Sequence, residues 1–369
     1  MAVHFGQSGG SRHVPVLPGR KARAPLRAPV VVPLAPPRHM DLPPASVPES
    51  VKPRRKPRHR ASRLLCILGL TGALAALAAG FLSRLYLSLD VFTNFTPQLA
   101  VAAAAFLVAS LLPGLRLTFA AALILAGIAG IGFFARHESE RIAAMPAYAA
   151  DAGESPLKLM TFNVHLSNTD WNAVANEVER QDPDVVTLIE FGPDKEPAAD
   201  RLAARYPYRA ECMTVADCHM LLLSKIPISA VDVRGTWAGP PLIKIRLGGA
   251  FDGLNIIAVH TVRPPWYRTQ QKQLDELVAM LHEVEGRKIV MGDFNATPFS
   301  RLNRQFSLSS GLNRITWLPS WPSFFGLPQL GIDHIFLSPG LRVLKEPLIG
   351  DSAGSDHFPV IATVGVPSN

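Results

Sequence analysis

The stretch from Leu64 to Leu82 carries no charged residue, and about 20 apolar residues are what a helix needs to cross a bilayer. Such a segment has few folding options. A bilayer supplies no water for backbone polar groups, so the segment must satisfy them by itself as a helix. Two further apolar segments follow, and three membrane helices are expected at about 64–83, 97–113 and 115–135. Pro97 suits the first turn of a helix. Pro113-Gly114 separates the second segment from the third, and Leu117 to Phe134 is again free of charge. None of the three has a polar face, which argues against a soluble helical bundle. A cleaved signal peptide is not expected, because the first apolar run begins beyond residue 60 and two more follow.

Charge is as unevenly spread as hydrophobicity. Residues 1–63 hold 13 of the 37 Lys and Arg and 2 of the 29 Asp and Glu, a net of +11. Residues 64–369 therefore carry 24 basic and 27 acidic residues, a net of −3, although the whole chain stands at +8. The downstream part is not a broad nucleic-acid-binding face. Twelve prolines in residues 1–60 and no sustained period point to a disordered tail, 1–62. Its basic run Lys52-Pro-Arg-Arg-Lys-Pro-Arg-His-Arg60 could bind nucleic acid, but its place just before an apolar helix favours a topology determinant near anionic headgroups. That charge holds the amino terminus in the cytoplasm. Three crossings then put everything after Phe134 outside, and Arg116, in the second loop, falls inside as the same rule asks. The chain is read as a multi-pass protein of the cytoplasmic membrane with its last domain periplasmic or extracellular. Three cysteines are too few for a disulfide framework and lack zinc-site spacing. Outside the cytoplasm, Cys212 and Cys218 are either a disulfide or two free thiols.

Residues 136–155, polar and Ala-rich, read as a linker, and from 156 to 369 short apolar strands alternate with amphipathic helices. Ile289-Val-Met-Gly-Asp-Phe-Asn-Ala-Thr297 is the most informative of these. A buried strand delivers Asp293 and Asn295 to its end, two residues apart and so on one side, with Gly292 giving backbone clearance. Leu157 to His165 is a strand presenting Asn163, and Asp170 caps the helix after it. Asp184 to Glu190 is an apolar run closing on one carboxylate, which needs a cation, a metal or a basic side chain, to be buried. Residues 219–233 hold a strand pair, and Asn255 to His260 is a strand with an imidazole at its tip. A helix from about Trp266 to Glu285 follows. Asp333 opens a further strand, and Asp356 and His357 sit on a turn before the last one. Carboxylates, carboxamides and imidazoles at strand ends suit metal-assisted attack on a phosphate ester.

The set Thr161-Phe-Asn163, Ile189-Glu190, Val259-His260, Gly292-Asp-Phe-Asn295, Ile332-Asp-His-Ile335 and Ser355-Asp-His-Phe-Pro359 resembles the endonuclease/exonuclease/phosphatase superfamily, in family order over about residues 157–365. The chain looks like a membrane-anchored bacterial member. The resemblance implies a four-layer α/β sandwich, two mixed sheets flanked by helices, behind the three membrane helices. It implies Glu190 as principal ligand of Mg²⁺ or Mn²⁺, with Asn163 and Asp356 near the metal. Asp293 would orient or deprotonate the attacking water and Asn295 would hold a phosphate oxygen. His260 and His357 would donate to phosphate oxygens, Asp333 fixing the tautomer of one imidazole, and His357 is the alternative base. No evident Arg- and Tyr-rich insertion for duplex DNA is present. Many family nucleases also carry an extra glutamate before the first histidine, and Glu211 does not align with it clearly.

The reading is a metal-dependent phosphodiesterase acting outside the cytoplasmic membrane on a nucleic acid or a phospholipid headgroup, with no protein partner inferable. A catalytically silent binding module on the same fold and a phosphomonoesterase are the alternatives. Protease added to intact spheroplasts should cut the domain after residue 136, as followed by blotting of a carboxy-terminal tag, and protection there would reverse the topology.

Overall fold

The computed structural model describes residues 58–112, 114–213, 218–235 and 239–368; the tail through residue 57, with most of its basic run, lies outside them. Four α-helices precede the first strand: α1 (Arg58–Phe81), α2 (Asp90–Asn94), α3 (Thr96–Leu111) and α4 (Arg116–Ala144). α1 and α4 are long and apolar enough to cross a membrane. α3 has 16 residues, and at about 1.5 Å each they reach about 24 Å, short of a hydrocarbon core about 30 Å thick. The three expected spans are thus two, or three only if α3 is joined to Leu87–Asn94, bent from it by 66°. The bend comes where Asp90 and Asn94 are buried and bond with the α/β part of the chain. α4 also departs from expectation, staying helical through 136–144, where a linker is expected. Its last turns are docked. Ser139 Oγ donates to Ile349 O at 2.8 Å and accepts from Ile349 N at 2.9 Å, and Arg136 donates to Gly350 O at 2.9 Å.

The chain continues as β1 (Glu154–Asn163), α5 (Trp171–Gln181), β2 (Val185–Ile189), α6 (Glu196–Leu202), β3 (Tyr208–Glu211), β4 (Met220–Ser224), β5 (Ile228–Arg234) and β6 (Leu242–Leu247). Next come β7 (Asn255–His260), α7 (Tyr267–Glu283), β8 (Lys288–Asp293), α8 (Arg301–Ser310), β9 (Asn313–Arg314), β10 (Asp333–Leu337), β11 (Arg342–Ile349) and β12 (Val360–Pro367). They form two six-stranded sheets, β11-β12-β1-β2-β4-β3 and β5-β6-β7-β8-β10-β9. Each sheet is mixed and has one parallel pair at its centre, β1 with β2 and β7 with β8. The expected strand pair at 219–233 divides between the sheets. β4 pairs with β2 and β3, whereas β5 pairs with β6, so Lys225-Ile-Pro227 is a crossing and not a hairpin turn.

Successive side chains on a strand face opposite ways, so each central strand feeds two apolar layers and reads as an unbroken apolar run. Leu157 and Leu159 of β1 belong to the same apolar layer as Ile256 and Ala258 of β7, between the sheets. Met160 and Phe162 face the other way, onto Val174 and Val178 of α5. Ile257, Val259 and Val290 likewise pack under α7 and α8. The order is helix, sheet, sheet, helix, an α/β sandwich. Asp170 caps α5 by accepting from Ala173 N at 3.0 Å, and Asp182 ends it in left-handed backbone just before Pro183. Cys212 and Cys218 are bonded to each other. The apolar helices and the sandwich belong to one unit, Arg55–Asn369.

Val259 and Gly292 are neighbours across the parallel pair, and a Cβ on Gly292 would lie 1.9 Å from the Val259 carbonyl oxygen, on backbone with φ +153°. Gly292→Ala should therefore cost about 3 kcal/mol or more, read from unfolding of the purified full-length protein in detergent. An unchanged midpoint would remove this constraint.

Candidate active site

Both central parallel pairs end at one edge of the sandwich. β1 stops at Asn163 and β2 just before Glu190. β7 and β8 stop at His260 and Asp293, which are partners in register. β10 runs against β8, so its first residue, Asp333, pairs with Asp293. The turn before β12 adds Asp356 and His357. Glu190, His260, Asp293, Asn295, Asp356 and His357 line one cleft of about 940 Å³. Asn163 and Asp333 stand behind them, almost wholly buried. All eight residues singled out in the sequence are thereby brought together.

The contacts form a chain across the two sheets. Asn163 Nδ2 donates to Glu190 Oε1 and to Asp293 Oδ2, both at 3.1 Å. The other Glu190 oxygen accepts from Leu166 N at 2.9 Å. Asp293 Oδ1 accepts from Asn295 N at 2.8 Å, and Asn295 Nδ2 donates to Thr261 O at 2.9 Å. His357 Nδ1 lies 2.9 Å from Asp333 Oδ2, which also accepts from Ser320 Oγ at 2.6 Å. With Nδ1 so engaged, Nε2 is directed at Asp293 Oδ2, 3.8 Å away, and His260 Nε2 stands at the same distance from it. His165, Glu190 and Asn295 all adopt left-handed backbone, with φ of 59°, 55° and 46°. Non-glycine residues in that region are strained, and such strain gathers at functional sites.

Electrostatics follow from this crowding. Burial first, then the Asp333 charge, push the Asp293 carboxyl up to about 7, against the pull of His357. For His357 burial disfavours the charged ring, but the charge and hydrogen bond of Asp333 overcome it and raise the imidazole to about 9. Burial works against the Glu190 carboxylate too; the Leu166 amide and His260 outweigh it, and the group stays below its ordinary range. Burial holds His260 low while Glu190 opposes. A carboxyl moved towards neutrality beside a charged imidazole is the arrangement proton transfer needs.

Two groupings have donor atoms for a metal. Asp356 Oδ1 is buried without a hydrogen-bond partner. His165 Nδ1 lies 3.4 Å from it and 3.7 Å from Glu190 Oε2, so the two carboxylates converge on one point. Both are about 30% exposed to the cleft, and carboxylate oxygens are the ligands that hard divalent ions prefer. These residues fit such an ion. Asn163 supports Glu190 through its amide nitrogen, its own oxygen accepting from His165 N at 3.0 Å. In the second grouping, donor atoms of Asp293, Asp333 and His357 lie within 4.8 Å of one another. There the Asp333 side chain is fully enclosed and already bonded to Ser320 and His357, so the trio is better described as a hydrogen-bonded relay.

Residues 160–357 match the model of the Endonuclease/Exonuclease/phosphatase family. The chain belongs to this family. Among curated proteins it is similar to the UPF0294 proteins of Vibrio vulnificus strains YJ016 and CMCP6, at 32% identity over 142 residues, 35% of this chain. It spans about half, 48%, of the length of those relatives. Among solved structures it is similar to D. rerio TDP2 complexed with single-strand DNA product (17% identity, 57% of this chain and 100% of that one, TM-score 0.49). It is also similar to sphingomyelinase C from Streptomyces griseocarneus (18%, 57% and 99%, 0.45). A third is a beta toxin mutant from Staphylococcus aureus with bound magnesium ions (15%, 58% and 100%, 0.45).

Four contributors to this family member's site escape the sequence reading. His165 stands two residues past Asn163, a spacing that could have found it. Ser320 holds Asp333, and Trp321 Nε1 donates to Asp356 Oδ2 at 3.1 Å; both lie in a Pro-rich segment without a period. The fourth is α2 with its flank, since Val91, Asn94 and Phe95 wall the cleft. His334, adjacent to Asp333, faces away as strand alternation demands. It meets Thr316 Oγ1 at 2.9 Å and Ala296 O at 2.8 Å. Burial, then Arg314, lowers it from an ordinary 6.5 to about 3. Between those values the unfolded chain binds a proton that the native state refuses, so stability falls as pH drops through that window. His334→Gln should flatten the pH dependence of urea unfolding between pH 6.5 and 4; an unaltered slope would show that another group causes it.

Proposed function

We propose that the chain is a membrane-anchored, divalent-metal-dependent phosphodiesterase whose site is the cleft at the ends of the two sheets. One observation carries this reading: Asp293, its carboxyl raised to about 7, meets Asn163, Asn295, His260 and His357 at 3.1 to 3.8 Å. Glu190 and Asp356, backed by Asn163, would hold Mg²⁺ or Mn²⁺. When bound, such an ion neutralises charge on phosphoryl oxygens. Asp293 accepts the proton of the attacking water. Asp333 holds Nδ1 of His357, leaving Nε2 to donate to a phosphoryl oxygen as negative charge builds. His260, whose Nε2 also lies 3.8 Å from Asp293 Oδ2, does the same. Asn295 steadies the Asp293 carboxylate and borders the position of a further phosphate oxygen. A cleft of about 940 Å³ leaves room for both ester arms of a diester.

The helices support the expected topology. Arg116 at the start of α4 donates to His59 O at the start of α1, at 3.3 Å, so these two ends share a side along with Arg60 and Arg63. The far ends of α1 and α4 both meet the sandwich, through Ser83 bonded to Arg301 and through Ser139 bonded to Ile349. Basic ends inside and the sandwich outside agree with the positive-inside rule. The Cys212–Cys218 disulfide suits an oxidising compartment.

With the purified full-length protein in detergent, bis-p-nitrophenyl phosphate should be hydrolysed with Mg²⁺ or Mn²⁺ and not with EDTA. Glu190→Gln should lose at least about a hundredfold in rate and need more metal, with circular dichroism unchanged. Full activity in this variant, or in EDTA, would end the metal assignment.

A further inference from the structure

The catalytic cleft shares a wall with the apolar helices. Asp90 accepts from Ser300 Oγ at 2.6 Å and from Arg301 N at 2.8 Å, and Asn94 Oδ1 accepts from Thr297 N at 2.7 Å. These bonds fix the turn between α1 and α3 onto the segment that follows Asn295. Beside the cleft lies a second one, of about 410 Å³, between α4 and the sandwich. Asn94 and Leu330 line both, so the two lie side by side against these residues. The second is apolar, walled by Pro97, Ile131, Phe134, Phe299 and Trp317. The Phe134 and Trp317 rings lie 6.0 Å apart, centre to centre, each about half exposed.

Three glycines of α4 separate packing from empty space. A Cβ on Gly127 would strike Val101 and one on Gly132 would strike Leu327, at 2.3 and 2.6 Å; these positions let neighbouring elements come close. A Cβ on Gly130 would meet nothing within 4 Å, and Gly130 lines the groove. The loop before β10 descends along the same helix. Leu327 rests on Gly132, and Gln329 Nε2 donates to Ile128 O at 3.0 Å. That loop presents Phe324 and Phe325, 65% and 100% exposed, level with the apolar part of α4. Adjacent bare aromatic rings are costly in water and favourable at a bilayer surface.

We propose that this groove takes a hydrocarbon chain of a bilayer phospholipid, placing the phosphodiester of that lipid against Asp293 and His357. The proposal rests on the phosphodiesterase reading above and names its substrate class. Water adds across one ester bond: its oxygen joins phosphorus, its proton passes to Asp293, and the released ester oxygen leaves as an alcohol protonated from solvent. A polynucleotide has no apolar tail to fill a groove between α4 and the sandwich, so the groove favours a lipid over a nucleic acid.

The test compares wild type with Gly130→Leu, both full-length in detergent. The substrates are vesicles of phosphatidylethanolamine and phosphatidylglycerol, bis-p-nitrophenyl phosphate and a single-stranded DNA oligonucleotide. Leucine fits the helix and fills the groove. The ratio of phospholipid to bis-p-nitrophenyl phosphate hydrolysis should fall at least about tenfold in Gly130→Leu. Photolabelling by a phospholipid with a diazirine in its acyl chain should mark 127–134 or 317–331 in wild type and weaken in the variant. An unchanged ratio together with unchanged labelling overturns the groove. Cleavage of the oligonucleotide without the phospholipid overturns the substrate class but keeps the phosphodiesterase. Failure of wild type on every substrate, with any metal, removes the hydrolase reading and the inference with it.

Discussion

The hydrogen bond from Asn163 to Asp293, 3.1 Å long, joins the tip of one sheet to the tip of the other. A second bond repeats the crossing: His357, entering β12 in the first sheet, meets Asp333 of β10 in the second at 2.9 Å. Within the first sheet, Ser355 Oγ donates to Asn163 O at 2.7 Å and ties the turn before β12 to the tip of β1. Polar groups this deeply buried are tolerated only when paired. The apolar layer between the sheets therefore sets the spacing, and the polar tips are committed to one arrangement by the cost of leaving any of them alone.

The charge pattern has the same origin. Asp293 and Asp333 are neighbours across a strand pair, both almost fully buried, and like charges so placed cannot both ionise freely. One carboxyl is driven towards neutrality and the imidazole beside it is held charged. Farther out, Glu190 and Asp356 stay exposed to the cleft and converge on the point where His165 now reaches. The site thus grades from an enclosed hydrogen-bonded cluster to an open, acidic rim, an arrangement that the proposed metal-assisted hydrolysis would use.

Much of this was legible in the sequence because strands buried on both faces read as apolar runs, and a polar residue closing such a run stands out. Glu190, His260 and Asp293 close such runs, and Asp333 opens one. Which strands pair was not legible: β4 and β5 lie close in sequence, yet the turn at Pro227 sends them to different sheets. α2 gave no periodic signal in 5 residues, and its roles depend on tertiary bonds from Asp90 and Asn94. The length of α4 was misread for a similar reason. Residues 136–144 lack the apolar character of a span and are held helical by docking onto β11. Ser320 and Trp321 act only through the aspartates they touch, and local sequence does not record that.

The account depends most on Asp293 acting at the water and not merely bracing the sheets. The most direct measurement is steady-state hydrolysis of bis-p-nitrophenyl phosphate by full-length Asp293→Asn, an isosteric change that removes the proton-accepting carboxylate while keeping the side chain's size. The account predicts a fall in kcat of at least about a hundredfold with KM altered much less. A kcat close to wild type, or a loss confined to KM, would contradict it.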